Sequence, residues 1–400
     1  MTFTEKNTRC AVSVAVFSVT SLFASISYAL EPLSYTSGPL QVIPQVGVQV
    51  GYDDNIYATE TAEKSSTKVI VNPSVQLKAE QGLNEYSVYY EITNGTYQDS
   101  SADNYTDHEL SGRAYFDFNI RNRLELLAGY LKTHEDRGSG LNQGTNATIN
   151  DAPIEYSVGS LQGTYEFGGK EAKGRIKLVA GVQDREYDNF RSQTESKDRQ
   201  KINTSATFYY RVMPKTSLLF EVSNEDIDYD LATVTLDSSE RKYLLGATWD
   251  ATAKTSGTLK FGYAEKDFDS AAREDADGIS WELAMRWSPK SYSVIDVATS
   301  KEAEETDGTG NYIDTTSLDL QWTHAWSDIW RTRVYYGVSN DEYVASARED
   351  DQVSYGVGVD YDMRRWLNFG VDYIYSERES NQANLDYEKN TVYLTVQGSL

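Results

Sequence analysis

Apolar side chains return at every second position through most of this chain, and that period limits what it can fold into. In Pro44 to Thr59, PQVGVQVGYDDNIYAT, the residues Val46, Val48, Val50 and Tyr52 share one face of an extended strand, and Gln45, Gly47, Gln49 and Gly51 share the other. The run stops at Asp53, Asp54 and Asn55. The same spacing recurs in Ile279, Trp281, Leu283, Met285 and Trp287, with Ser280, Glu282, Ala284 and Arg286 between them, and again in Val353, Tyr355, Val357, Val359 and Tyr361. We count about eighteen such segments, each near the ~9–11 residues that a tilted membrane strand needs. No long segment shows a 3.6-residue period, which excludes a helical fold.

The connections alternate in length as the side chains alternate in polarity. Short turns fall near 82–84, 119–123, 168–170, 213–215, 251–254, 288–290, 326–329 and 363–365. Between them come long, acidic connections at 53–66, 94–107, 135–152, 184–198, 225–240, 265–277, 301–312, 340–351 and 377–385. Short turns on one side and long loops on the other are the grammar of an outer-membrane barrel. A soluble sandwich would bury a Leu-, Ile- and Phe-rich core and would not alternate its loops so strictly. The expected fold is therefore all-β, a transmembrane antiparallel up-and-down β-barrel of about eighteen strands, with short periplasmic turns and long acidic extracellular loops. Two segments fit less well. Tyr156 to Phe167 changes phase midway and predicts a bulge, and Ser293 to Thr299 is a weak strand.

The N-terminus reads differently. Lys6 and Arg9 precede an apolar run from Ala11 to about Ala24, and Ser27-Tyr28-Ala29 is a small-x-small cleavage site. This predicts a Sec-type signal peptide over 1–29, then a periplasmic linker over 30–38 and the barrel over 39–400. The single cysteine, Cys10, lies in that leader, so disulfide and thiol chemistry are excluded from the rest. A mean hydropathy of -0.56 is compatible with a barrel, in which every second residue faces water. The formal charge of -24, or -25 once the leader is removed, excludes nucleic acid as a partner, because that needs clustered Lys and Arg. Tyr52, Tyr130, Trp287, Trp326, Trp330 and Trp366 stand near predicted strand ends, where an aromatic girdle belongs.

PQVGVQVGYDDNIYAT, together with later stretches such as GVGVDYDMRRWLNFGVDYIYSERES, resembles the β-barrel porin 2 family across the whole mature chain. That resemblance implies an outer-membrane channel in a Gram-negative bacterium, a passage for exported capsular or exopolysaccharide. It also implies partners in outer-membrane lipid and lipopolysaccharide, the barrel-assembly machinery, the polysaccharide and periplasmic export proteins. The readings that stay open beside it are a general or solute-specific diffusion porin and a surface receptor or adhesion barrel without transport. The C-terminus departs from the usual pattern, closing on Gly398-Ser399-Leu400 where such barrels commonly end on an aromatic residue.

Residues for catalysis are scarce. His108, His134 and His324 fall near different strand ends, and only His134 with Asp136 suggests a pair, so solvated rim histidines and no enzyme are expected. No cofactor or metal site is expected either: the alternating Asp226, Asp228 and Asp230 and the run Asp275-Ala276-Asp277-Gly278 lack the spaced Gly and closing Glu of a calcium loop. The glycine-rich RGSGLNQG from Arg137 follows no βα unit and is not a phosphate cradle. The lumen-facing positions are more informative. Glu91, Arg113, Arg211, Glu282, Arg286 and Arg333 alternate with apolar residues, as do Tyr89, Tyr115, Tyr209 and Tyr335. Lipid would cost ~2–4 kcal/mol for each Arg at mid-depth, so these ten are predicted to line the pore, with the tyrosine faces and fixed charges offering a low-affinity track for sugar.

Overall fold

The computed structural model describes residues 34–252 and 254–399; the leader expected over 1–29 lies outside the described residues, as does the start of the linker. A short strand, β1 (Tyr35–Ser37), precedes eighteen long ones. The first six of these are β2 (Leu40–Asp53), β3 (Ser66–Gln81), β4 (Asn84–Tyr97), β5 (Tyr105–Asn119), β6 (Asn122–Glu135) and β7 (Ile154–Phe167). Then come β8 (Gly174–Tyr187), β9 (Arg199–Met213), β10 (Thr216–Tyr229), β11 (Ser238–Thr252), β12 (Thr255–Phe268) and β13 (Ala276–Lys290). The last are β14 (Ser293–Glu304), β15 (Ile313–Ala325), β16 (Trp330–Tyr343), β17 (Glu349–Arg364), β18 (Leu367–Ser380) and β19 (Tyr387–Ser399).

Each long strand pairs antiparallel with its neighbours in sequence, and β19 pairs with β2 through contacts such as Val396↔Val48. The result is a closed ring of eighteen strands, with no free edge among the long ones. The predicted alternation holds along β2: Val48, Val50 and Tyr52 are exposed, at 37%, 43% and 52%, while Gly47 and Gly51 on the other face are buried. The same is true of Leu245 at 66%, Phe261 at 54% and Leu394 at 56%. A soluble protein would hide this face. Here the most apolar side chains are the most exposed, as a belt against lipid requires.

The structure corrects several details. No bulge interrupts β7: its register against β6 runs unbroken from Ile154↔Glu135 to Phe167↔Asn122. The apparent phase change arises because Ile154, Tyr156 and Val158 point inward, where they pack with Tyr187, Leu131, Leu141 and Phe190. Near the outer mouth the inward face meets loop residues rather than water. In the same way Ile227 and Tyr229 of β10 bury themselves against Leu236 and Phe268. The segment at Ser293 is a full strand of 12 residues. The turn predicted at 288–290 lies at Ser291 and Tyr292 instead, with Pro289 inside β13 at a register shift; Pro has no amide hydrogen to give the ladder. Part of the expected linker is structured, since Tyr35 to Ser37 pair with Val42 to Leu40.

This assignment of faces predicts a position-specific cost on adjacent residues of β19. Leu394→Arg, on the apolar face, should destabilise the barrel by ~2–4 kcal/mol, and Thr395→Arg, on the opposite face, by under about 1 kcal/mol. Reversible denaturant unfolding in lipid would measure both, and equal costs would contradict the assignment.

Candidate functional site

The ten residues expected to line the pore all lie on the face opposite the apolar belt, and most are held by partners on adjacent strands. Arg113 bonds Glu85 at 2.9 Å and also Glu125, with its guanidinium 5.3 Å from the centre of the Tyr115 ring. Tyr89 donates its hydroxyl to Glu91 at 2.7 Å. Glu282 accepts from Lys260 at 3.0 Å, and the same Lys260 reaches Glu221 at 2.8 Å. Arg286 holds Asp296 at 2.6 Å, and Arg333 joins Asp360 at 2.9 Å to Asp372 at 2.8 Å. Tyr335 donates to Asp319 at 2.9 Å. Arg211 pairs with Glu171 of a turn, and Tyr209 lies 4.5 Å beneath the Arg175 guanidinium. The ten are spread over β4, β5, β9, β13 and β16, so they form a wall rather than a single site.

The wall is electrically uneven. Arg175, Lys177 and Arg185 of β8, with Arg199, Lys201 and Arg211 of β9, alternate with outward residues such as Ile176, Leu178, Ile202 and Phe208, which are exposed. The carboxylates of these two strands, Asp184 and Glu186, lie on the outward face. Lys201 reaches Glu225 at 2.9 Å, but Lys177, Arg185 and Arg199 have no carboxylate at ion-pairing distance among the described residues. Sequence reasoning singled out Arg211 but not the stripe as a whole. Its signal was the phase of RIKLVAGVQDREY and RQKINTSATFYYR, which puts every cation of the two strands on one face.

Across the outer mouth lies the loop L3, residues 136–153, between β6 and β7. Its stem is fixed by Arg137, which grips Asp103 through two bonds of 2.5 and 2.6 Å, donates to the Asn150 carbonyl at 3.1 Å and covers the Tyr57 ring at 4.1 Å. Gly138 has φ 96° and sits so close to the Tyr57 carbonyl that a Cβ would lie 2.1 Å from its oxygen, so no other residue fits there. The tip of L3 then meets the far wall. Gln143 contacts Asp307 and the guanidinium groups of Arg348 and Arg378, and Gly144 packs under Leu385. In the eighteen-strand ring β6 and β7 stand eight places from β14 and β15, whose connecting loop holds Asp307, so L3 crosses the opening to reach it. A second loop, L7 (residues 305–312), comes inward to meet it: Glu305 binds Lys266 at 3.0 Å and accepts from the Tyr229 hydroxyl at 2.5 Å, while Lys197 donates to the Thr306 carbonyl at 3.3 Å.

The His134 side chain is buried rather than solvated: the ladder of β6 with β5 ends before it, at Lys132↔His108, while β6 stays paired with β7 through His134↔Glu155, and Asp107 and Asp136 close on its ring. Its Nδ1 lies 2.9 Å from Asp107 and its Nε2 3.2 Å from Asp136. With both ring nitrogens clamped by carboxylates, neither is available as a base. His108 stands beside Tyr90, its Nδ1 3.0 Å from the Tyr90 hydroxyl, and His324 is stacked among Tyr292, Trp322 and Trp326. No group of three or more His, Cys, Asp or Glu residues among the described residues could hold a metal.

Charge holds the loop layer together. Burial opposes ionisation of Glu305, yet the positive charges of Lys266, Lys201 and Arg199 prevail and bring its carboxyl down to about 2. Asp136, about a third of its side chain exposed, is held well below the usual carboxylate range by Lys68 and His134. A depressed folded-state value stabilises above the unfolded carboxylate value of about 4.3, and that contribution is lost as pH falls toward the folded value. Cleavage within 305–312 by an acid-active protease, normalised to an unfolded substrate, should therefore rise as pH falls from about 4.5 to 2. Glu305→Gln should remove most of that dependence. Cleavage independent of pH in the unmodified protein would contradict the assignment.

Residues 29–399 match the protein family described as Putative beta-barrel porin 2. No curated protein matches the chain. Solved structures of the same fold include Pseudomonas aeruginosa OccK2 (OpdF), at 10% identity and a TM-score of 0.51, covering 90% of this chain and 98% of that one. Pseudomonas aeruginosa OpdO aligns at 13% identity and a TM-score of 0.50, over 90% and 97% of the two chains. A BenF-like porin from Pseudomonas fluorescens Pf-5 aligns at 11% and 0.50, over 90% and 99%. At these identities the likeness concerns the fold. The family match covers nearly the whole chain, and with the closed eighteen-strand ring it makes this protein a porin-like channel of the Gram-negative outer membrane, a member of the putative beta-barrel porin 2 family.

Proposed function

We propose that the channel passes small solutes by diffusion and favours anions. The observation that carries this is the inward-facing stripe of six cations on β8 and β9, inside a chain of formal charge -24. It runs from Arg175, Lys177 and Arg211 in the open part of the lumen to Arg185 and Arg199 beside Tyr156 and Tyr229 under the loop layer. Among the described residues Lys177, Arg185 and Arg199 have no ion-pairing carboxylate. Fixed charges act within a Debye length of ~8 Å at physiological salt. A solute in the lumen therefore responds to the wall beside it, and carboxylates at the outer rim have little hold on it deeper in. The ten residues expected to line the pore serve here as a braced polar wall, and β8 and β9 as the track. The protein would reach the membrane through the leader over 1–29 and the barrel-assembly machinery, and meet lipopolysaccharide at its outer rim.

Passage of an exported polysaccharide rests on the family resemblance alone. L3 weighs against it, since a polymer would have to displace a strap that crosses the mouth. A receptor without transport draws on that same strap.

Planar-bilayer recordings test these readings. In a salt gradient the reversal potential should report anion preference, and the triple change Lys177→Glu, Arg185→Glu and Arg199→Glu should reverse its sign. Removal of residues 140–147 should raise conductance and leave the preference in place. Cation preference in the unmodified channel would overturn the proposal, and absence of conductance even without the strap tip would select the receptor.

A further inference from the structure

Two guanidinium groups converge on one neutral oxygen at the tip of L3. Gln143 Oε1 accepts from Arg348 Nη2 at 3.0 Å and from Arg378 Nη1 at 2.8 Å, and its Nε2 donates to Asp307 Oδ2. An amide oxygen carries only a partial charge, whereas the planar guanidinium fork matches a carboxylate or phosphate and bonds it about twice as strongly as a neutral acceptor. The oxygen between these cations is thus a weak occupant of a place suited to an anion.

The two arginines are not equivalent. Arg348 is already neutralised by Asp350 at 3.0 Å and Asp307 at 3.2 Å, and it lies 4.1 Å over the Tyr343 ring. Among the described residues Arg378 has no carboxylate partner: its Nε donates to the Leu385 carbonyl at 2.7 Å, and its Nη2 is buried without a partner there, on a residue only 7% exposed. A buried cation with an orphaned donor is costly, and an acceptor of full negative charge would relieve it.

There is room for the rest of such a molecule. A cavity of about 380 Å³ opens beside Gln143, bounded by Leu141, Thr309, Ser346, Gln382 and Leu385. The loop is also built to let its tip go. Its stem is fixed by the ion pair of Arg137 with Asp103, while the tip is fixed by an amide next to Gly144, whose φ is 59°. Losing the tip contacts leaves the stem in place.

We propose that the acid group of a small oxyanion, carboxylate or phosphate, takes the position of the Gln143 amide oxygen between Arg348 and Arg378, with its body in the cavity. Occupation of this site unlatches the tip of L3 from the far wall. The inference rests on the diffusion-channel reading for its effect on transport, and the binding itself does not depend on that reading.

The test uses the full barrel in lipid with spin labels at Asn146→Cys, on the tip of the loop, and Glu379→Cys, on the wall; Cys10 of the leader is the only native cysteine. Acetate and inorganic phosphate are titrated separately, with chloride at matched ionic strength as control. A saturable population at longer distance should appear with acetate, phosphate or both, which also tells a carboxylate site from a phosphate site. Arg378→Gln should raise the midpoint by about tenfold or more, and Gln143→Ala should show the longer distance without any anion. Retained heat-modifiable migration in a gel identifies variants that fold; if Arg378→Gln does not, the unmodified and Gln143→Ala proteins still decide. No lengthening at saturating anion, the same lengthening with chloride, or an unchanged midpoint in folded Arg378→Gln would overturn the proposal. Absence of bilayer conductance in every form would remove the channel reading and leave the distances standing.

Discussion

Backbone amide and carbonyl groups find no water inside a lipid layer, so every membrane strand must be paired along both edges. The contact of β19 with β2, with Leu394 opposite Val50 and Val396 opposite Val48, is where this chain meets that demand. Because it closes a ring, each strand keeps one face for lipid and one for the interior. The exposed Val, Leu and Tyr side chains outside and the ion-paired wall inside are two consequences of one closure.

Closure also makes the interior a place where charge can be organised. Ion pairs such as Arg286 with Asp296 and Arg333 with Asp360 and Asp372 link neighbouring strands while facing the lumen, so their stabilising effect is moderate and their geometry well defined. The cations of β8 and β9 differ because part of the set is left without carboxylates. At the outer end the lumen is no longer simply aqueous. Loop residues fill the mouth with two small apolar clusters, to which L3 gives Leu141 and L7 gives Tyr312, and the polar tips of L3 and L7 meet at Gln143 and Asp307.

Much of this was legible in the residues. The period of two gave the strands, the alternating loop lengths gave the topology, and the phase of each strand put all ten candidate wall residues on the inner face. What could not be read had a common cause, which is that the meaning of the inner face changes along the barrel. At Gln162, Thr164 and Glu166 an inward residue is polar, as expected. At Ile154, Tyr156 and Val158 it is apolar, because it meets Leu141 and Phe190 instead of water, and the same strand then looks as though it had slipped. His134 was misplaced for a related reason, since an outer strand end that looks solvated in sequence is closed in by Asp107 and Tyr105 of β5 and by Asp136 of the following loop. The crossing of L3 itself depends on contacts between residues more than 150 positions apart, such as Gln143 with Asp307, which no local pattern encodes.

The central claim is a barrel whose inner face is wet below and packed by its own loops above, and β7 crosses both zones. Single cysteines placed along β7 and challenged with a water-soluble maleimide test it most directly. The account predicts labelling at 162, 164 and 166, little at the lipid-facing 161, 163 and 165, and little at 154, 156 and 158 until the loop layer is unfolded. Equal labelling at 154–158 and 162–166, or labelling in the opposite phase, would contradict it.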